Sequence, residues 1–161
     1  SQPLEEFGEG GEATVREIFD HMVAHKNFRS FVATSPDGKL IGSNHLDLRD
    51  EWAAVGPISV DPASWEKGVG KALMLAVIKE AEKEGFGCIC LQQVSANAKS
   101  YALYASLGFV PKETCIYLKG HAVDVSLTSS NIIRPMLSSD VDACSALYQE
   151  AFGISRRTDI R

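Results

Sequence analysis

Residues 53–84 constrain the fold more than any other stretch, because they combine a strand, a polar turn and a helix in direct succession. The strand is apolar and β-branched but is interrupted at Gly56-Pro57, and a proline has no N–H to give to a sheet ladder. Apolar residues recur at helical spacing after the turn. Unpaired N–H groups at a helix start, together with the helix dipole, favour a negative charge. The stretch therefore predicts a kinked strand followed by an anion site at the start of a helix.

Two familiar anion-binding motifs fit this turn only in part. The dinucleotide fingerprint G-x-G-x-x-G is matched by Gly68 and Gly70 but lacks its third glycine. The phosphate loop G-x-x-x-x-G-K-[ST] is matched at Gly70 and Lys71, whereas Trp65 replaces its first glycine and Ala72 its hydroxyl. A tight turn before a core helix would account for an isolated G-x-G equally well.

The composition excludes several classes of protein. The 161 residues are 45% apolar and 23% charged, which predicts one ordinary globular domain. The net charge of −5 argues against a nucleic-acid or membrane-surface partner, and no apolar run is long enough for a membrane span. Cys88 and Cys90 lie two apart in an apolar run, a spacing that does not suit zinc. We therefore expect a cytoplasmic protein with reduced thiols and no metal.

The order of the elements predicts an α/β fold with a mixed sheet. Residues 12–24 show the pattern of an amphipathic helix, and residues 28–34 and 39–48 that of a hairpin around a Pro-Asp-Gly turn. The hairpin continues into the kinked strand as an antiparallel meander. Residues 86–94 are almost continuously apolar, as in a strand that is buried on both faces of a parallel β-α-β unit. Residues 110–119 are expected to supply two last strands.

Two motifs resemble the GNAT N-acetyltransferase superfamily. The pattern V-x-P-x-x-V-x-P-x-x-x-x-x-G-V-G-x-x-L-M begins at Val55 and is similar to the acetyl-CoA loop of that family, [RQ]-x-x-G-x-[GA], with Trp65 at its first position. The pattern N-x-x-S-x-x-L-Y-x-x-L-G-F begins at Asn97 and resembles a second family motif. The resemblance implies a GNAT-like fold in which an antiparallel meander joins a parallel β-α-β unit.

The same resemblance assigns the functional residues. Tyr104 matches the family tyrosine that acts as general acid toward the sulfur of coenzyme A. Asn97 matches a position that bonds the pantetheine arm, and the interrupted ladder leaves strand backbone groups available to it. For the general base, Asp47, Asp50 and Glu51 compete with a water chain. The residues expected to bind the cofactor are Ile58, Val60, Glu66, Lys67, Gly68, Val69, Gly70, Lys71, Ala72, Asn97 and Ser100.

The C-terminal residues resemble the beginning of the family fold. Residues 1–120 are expected to form an acetyltransferase core without its opening strand and helix, residues 121–130 a linker, and residues 131–161 a strand-helix segment. We expect residues 132–136 to pair with the strand at 28–34, and residues 141–152 to form the covering helix. The segment is then a permuted part of the domain, an arm exchanged in a homodimer, or the start of a second tandem domain.

The resemblance implies that the chain moves an acetyl group from acetyl-CoA to a primary amine of a small molecule or a protein. The alternative is a catalytically degenerate module that binds acyl-CoA or a partner protein. Trp65 and the displaced opening are the features that keep this alternative open.

Overall fold

The computed structural model describes residues 11–116, 118, 120 and 133–155. These residues form four helices, five strands and two short 3₁₀ turns, the turns being Pro62–Ser64 and Ser138–Asp140. In chain order the helices and strands are α1 Gly11–Ala24, β1 Phe28–Thr34, β2 Leu40–Asp47, β3 Ala53–Val55, β4 Ser59–Val60, α2 Val69–Lys83, β5 Ile89–Leu91, α3 Ala98–Ser106 and α4 Val141–Phe152.

The sheet is mixed, with the strand order β1-β2-β3-β5 and with β4 paired to β2. β1, β2 and β3 form an antiparallel meander. β3 and β5 are parallel and are connected through α2, so the predicted β-α-β unit is confirmed. β5 is shorter than the predicted strand at 86–94.

The kink between β3 and β4 is a bulge in the pairing with β2. Leu46 lies opposite Val55 and Ser43 lies opposite Ser59, so β3 and β4 carry one more residue than β2 across this step. Gly56 has a φ of 125°, which favours glycine, and the Gly56-Pro57 peptide is cis. An extra residue in one strand bends it and interrupts the ladder. The predicted interruption is therefore confirmed.

The core lies between the sheet and α2, with α3 at one side. Leu46, Met74 and Val77 are fully buried, and Tyr104 of α3 joins the same cluster. Arg29 of β1 reaches across to the C-terminal end of α2, where its guanidinium lies 2.7 Å from Oε1 of Glu84, the residue that follows the helix. This packing fixes α2, and with it the turn that precedes the helix, against the meander.

The strands predicted at 110–119 are not formed in the part of the chain that the structure describes. Residues 110–116 have no strand, Val110 and Ile116 are 66% and 77% exposed, and residues 117 and 119 lie outside the described residues. A strand is stable only beside a partner strand, and no described strand lies beside this segment.

The edge strand predicted at 132–136 is not formed within the described chain either. Residues 133–137 are irregular, residue 132 lies outside the described range, and β1 has no neighbour on its outer side among the described strands. Pro135 cannot donate to a ladder, and Arg134 pairs with Asp140, whose carboxylate accepts the Leu137 N–H at 2.8 Å. The Leu137 N–H and the Arg134 side chain thus bond to nearby Asp140 and not to a neighbouring strand.

The helix at 141–152 is formed as α4, but much of its apolar surface is not covered. Leu147 and Phe152 are 66% and 67% exposed, and the Ser155 N–H after the helix donates to Glu51. The division at residues 120 and 130, and the exchange of this segment in a homodimer, stay predictions. None of the described helices is both long enough and apolar enough to span a bilayer.

Candidate functional site

The candidate site begins where β4 and β5 diverge. β5 pairs with β3 as far as Leu91, which lies opposite Val55, and no described strand pairs with the outer side of β4. The Asp61 N–H donates to Ile41 on β2. Because successive residues of a strand direct their backbone groups to alternate sides, those of Val60 and Ile58 point away from β2. The bulge therefore leaves the side of β4 that faces away from β2 without a strand partner among the described residues, and we call the space between this side and the end of β5 the cleft.

Trp65 changes part of this cleft. Its indole Nε1–H donates to the Val60 carbonyl at 2.9 Å, although the ring is 53% exposed. Backbone groups of Val60 were expected to be free for the cofactor, and its carbonyl is used by Trp65; contact of Val60 with the cofactor stays a prediction. The indole N–H is a donor only, and the unpaired strand carbonyl is an acceptor within its reach. The Ile58 N–H has no acceptor among the described residues, and the Val60 N–H lies on the side of β4 that faces away from β2.

A run of unpaired N–H groups follows Trp65. The Trp65 N–H closes the 3₁₀ turn on Pro62, and the Ala72 N–H makes the first bond of α2 to Gly68 at 2.9 Å. Between them, the N–H groups of residues 66–71 have no acceptor in the described part of the chain. Ala72 was expected to bind the cofactor, but its N–H is used inside the helix. We call residues 66–71 the anion loop.

Two left-handed residues give the anion loop its shape. Glu66 has a φ of 62° and Gly68 a φ of 82°. The left-handed region suits a glycine, whereas it is uncommon for glutamate. Gly68 is also the residue that caps α2, and no side chain caps this helix start. The first turn of the helix is thus left open toward a ligand.

Charged side chains form hydrogen bonds and an ion pair around residues 61–65, which lead into the anion loop. Asp61 accepts the Ala63 N–H and pairs with Lys39 at 3.0 Å, and both contacts hold the pKa of its carboxyl below the usual range. Lys67 was expected to contact phosphate, but its ammonium donates to the Ala63 carbonyl at 2.8 Å. The side chain of Lys71 is exposed.

Gly70 lies where three elements meet. A Cβ at this position would come within 3.4 Å of Leu103 Cδ2 on α3 and 3.8 Å of Val60 Cγ2 on β4. A single Cβ would therefore fit at ordinary contact distance, whereas a larger side chain would have to share this space with Leu103 and Val60.

Asn97 and Ser100 form the start of α3. The Asn97 side chain accepts the Ser100 N–H at 3.1 Å and caps the helix. This capping role accounts for the asparagine within the fold. Contact of either residue with a cofactor stays a prediction.

Tyr104 is placed in the core. It is 8% exposed, and its ring lies 6.2 Å from that of Phe109 in an edge-to-face arrangement. Burial raises the pKa of the Tyr104 hydroxyl, while a hydrogen bond from the Ser100 side chain acts in the opposite direction. The hydroxyl therefore stays protonated at neutral pH, as a proton donor requires.

Partners are seen for the candidate bases Asp47 and Glu51. Asp47 pairs with Arg49 at 2.6 Å, and Glu51 accepts the Ser155 N–H at 3.2 Å. The general base is therefore still to be assigned to Asp47, Asp50, Glu51 or a water chain.

Sequence reasoning missed His45, which lies on β2 beside the bulge. It is 4% exposed, its carbonyl accepts the Gly56 N–H, and its Nδ1 lies 2.9 Å from Ser30 Oγ. Nε2 is buried with no partner among the described residues, and burial lowers the pKa of the imidazole. A single histidine in an alternating strand carries no motif, so only its position in the sheet reveals it.

No group of three or more His, Cys, Asp and Glu residues in the described ranges is arranged to hold a metal ion.

The sequence also matches a known protein family. Residues 2–109 match the model described as Acetyltransferase (GNAT) family.

Individual relatives agree with this match over shorter stretches. The chain is 44% identical over 52 residues to the [ribosomal protein bS18]-alanine N-acetyltransferase of Escherichia coli. This alignment covers 32% of this chain and 35% of that protein. It is 42% identical over 52 residues to the mycothiol acetyltransferase of Renibacterium salmoninarum, covering 32% of this chain and 15% of that protein. The match thus spans about a third or less of each relative.

Solved structures share the fold. The crystal structure of the Escherichia coli ribosomal-protein-S18-alanine N-acetyltransferase superposes with a TM-score of 0.56 at 30% identity, covering 60% of this chain and 61% of that one. AAC(6')-Iy, solved in complex with a bisubstrate analog, CoA-S-monomethyl-acetylneamine, gives a TM-score of 0.56 at 22% identity over 71% of this chain and 81% of that one.

Proposed function

This chain belongs to the acetyltransferase (GNAT) family, and from that premise we propose that it transfers an acetyl group from acetyl-CoA to a primary amine. The observation that carries the proposal is the anion loop. Its N–H groups have no acceptor among the described residues and lie at the start of α2, beside the cleft between β4 and β5. This arrangement suits a ligand with a pyrophosphate at one end and an extended amide-bearing arm at the other.

The anion loop would bind the pyrophosphate of acetyl-CoA through residues 66–71. The N–H groups of Ile58 and Val60 would donate to the pantetheine arm along the cleft. Donors on a rigid helix start and a packed strand are oriented before the ligand arrives, which reduces the ordering cost of binding.

Tyr104 would act as the general acid. The amine nitrogen attacks the thioester carbonyl, the C–S bond breaks, and the departing thiolate takes a proton from the Tyr104 hydroxyl. A thiol has an ordinary pKa of about 8.5, so a nearby donor aids its departure. The amine loses its proton to a carboxylate or to water, and solvent restores the tyrosine proton.

The acceptor is proposed only as a class. The relatives include a ribosomal-protein-alanine N-acetyltransferase and a mycothiol acetyltransferase. By their names, one of these relatives acetylates a protein and the other a small molecule. A net charge of −5 would favour the approach of a cationic amine. We therefore propose a primary amine on a small molecule or a protein.

A thiol-release assay tests the proposal. Wild-type protein and acetyl-CoA would be incubated with a panel of amines that includes polyamines, aminoglycosides and peptides with a free N-terminus. Amine-dependent release of coenzyme A, with the acetylated amine seen by mass spectrometry, is the expected result. Binding of acetyl-CoA without turnover of any amine would instead identify a binding module, and the absence of binding would refute the proposal.

A further inference from the structure

A lysine and a glutamate join α3 to the anion loop. Lys99 Nζ lies 2.8 Å from Glu66 Oε1, and the same ammonium lies 5.7 Å from the centre of the Trp65 ring. Glu66 is itself the first residue of the anion loop. The ion pair therefore lies at the edge of the proposed pyrophosphate site, although its two residues are far apart in sequence.

α3 presents one face to the anion loop. Lys99 and Leu103 are four residues apart and therefore lie on the same side of the helix. Leu103 is the residue that would meet a Cβ at Gly70, at 3.4 Å. One turn of α3 thus contacts Gly70 while the preceding turn places an ammonium beside Glu66.

Glu66 supplies a negative charge where a ligand phosphate would bind. Glu66 belongs to the loop whose N–H groups have no acceptor among the described residues, and this loop leads into the positive end of α2. The hydrogen bond from Lys99, and then the charge of Lys99, lower the pKa of this carboxyl, so it is ionised at neutral pH. An ionised carboxylate repels a phosphate and also competes for Lys99.

Lys99 has the freedom to change partners. Its side chain is 73% exposed and that of Glu66 is 77% exposed, so neither is fixed by packing. An exposed ion pair contributes little to stability, so a stronger anion can replace the carboxylate at small cost. A pyrophosphate carries more negative charge than one carboxylate and offers several acceptor oxygens.

We propose that Glu66 and Lys99 form an exchange pair, in which Lys99 leaves Glu66 and binds the pyrophosphate of the cofactor when it enters the anion loop. The inference rests on the proposed function. It assigns Lys99 as a cofactor-binding residue and Glu66 as a residue that weakens cofactor binding.

The first test replaces the lysine. Lys99→Met should weaken the binding of coenzyme A about fivefold in calorimetry at low salt, the range for an exposed charge contact. Lys79→Met, an exposed lysine farther along α2, removes the same charge and should leave binding unchanged. The same loss is expected with 3′-dephospho-coenzyme A, because both ligands carry the pyrophosphate.

The second test removes the competing carboxylate. Glu66→Gln should tighten the binding of coenzyme A about twofold, whereas Glu82→Gln, on the exposed side of α2, should not. The gain should shrink in the Lys99→Met background, because the lysine is then no longer released.

Several results would overturn the inference. If Lys99→Met binds coenzyme A as tightly as the wild type does, the exchange pair is wrong and the proposed function stands. If Lys99→Met weakens the binding of coenzyme A but not that of 3′-dephospho-coenzyme A, Lys99 binds the 3′-phosphate and not the pyrophosphate. If Glu66→Gln tightens binding equally in the Lys99→Met background, Glu66 only repels the ligand and does not compete for Lys99. No binding by the wild type would refute the proposed function itself.

Discussion

The two ends of α2 differ in how completely their groups are satisfied. Toward its C-terminal half, Val77 and Ala81 are fully buried, and Glu80 lies 3.0 Å from Lys83 and 3.6 Å from Arg29. At its N-terminal end, the anion loop has N–H groups without acceptors in the described residues and a glutamate in the left-handed region. One end of the helix thus fixes it to the sheet, and the other is left ready for a ligand.

This difference separates stability from binding along one helix. Buried apolar groups contribute the same free energy whether or not a ligand is present. Unpaired N–H groups and a glutamate in the left-handed region lower the stability of the folded chain. Such features are typical of a site where a ligand supplies the missing hydrogen-bond acceptors. Substitutions at the two ends should therefore affect different measurements.

The largest expected effect is on binding and comes from Gly70→Val. Its branched side chain would enter the space now shared with Leu103 and Val60, and binding of acetyl-CoA should fall below detection in calorimetry. Gly70→Ala adds one carbon at ordinary contact distance and should lose less affinity. Gly87→Val is the matched control, because nothing lies within 4 Å of a Cβ there. Unchanged affinity in Gly70→Val would place the ligand elsewhere.

Met74→Ala should produce the opposite pattern. Met74 is fully buried against the sheet, and removing such a side chain costs about 2–5 kcal/mol of unfolding free energy. Urea unfolding measures this loss, and the fraction that remains folded should still bind acetyl-CoA. A loss of affinity at full folding would show that the buried face of α2 and the anion loop are coupled.

Tyr104→Phe tests a residue of α3 that is buried in the core and is also proposed to act as the general acid. The ring is retained in the core, so stability should change little, while kcat should fall about 10²-fold with little change in KM. Steady-state kinetics over a range of pH provides the measurement. Wild-type kcat at every pH would make Tyr104 a structural residue only.

His45 should give a smaller effect, seen as a pH dependence of stability. Burial lowers its pKa below the ordinary value of 6.5, so the unfolded chain takes up the proton first as the pH falls. Stability is then fully present above that value and is lost below it, by at most about 1.4 kcal/mol per pH unit. His45→Gln should flatten this slope in urea unfolding between pH 7 and 5. An identical slope in the variant would assign the loss to other groups.

Local signals in the sequence predicted the features that depend on neighbouring residues. Gly56-Pro57 indicated the interruption between β3 and β4, and Asn97 indicated the start of α3, because turn and cap chemistry acts over a few residues. The parallel pairing of β3 and β5 followed from the apolar character of the β5 region. These features position the cleft and the start of α2.

Features that depend on distant contacts were missed. The indole of Trp65 bonds the Val60 carbonyl, and Lys99 pairs with Glu66, which is remote in sequence. Each contact depends on how α2 and α3 approach β4, which no local pattern encodes. The strands expected at 110–119 and 132–136 were predicted from composition and resemblance, and strand formation depends on a neighbouring strand.

Backbone amide chemical shifts report on the unpaired N–H groups of the anion loop one by one. Coenzyme A and pantetheine would be titrated separately into ¹⁵N-labelled wild-type protein. We expect the amide resonances of residues 66–71 to move with coenzyme A but not with pantetheine, which lacks the pyrophosphate, and those of Ile58 and Val60 to move with both. Resonances of residues 66–71 that stay in place at saturating coenzyme A would show that the pyrophosphate does not bind at the anion loop.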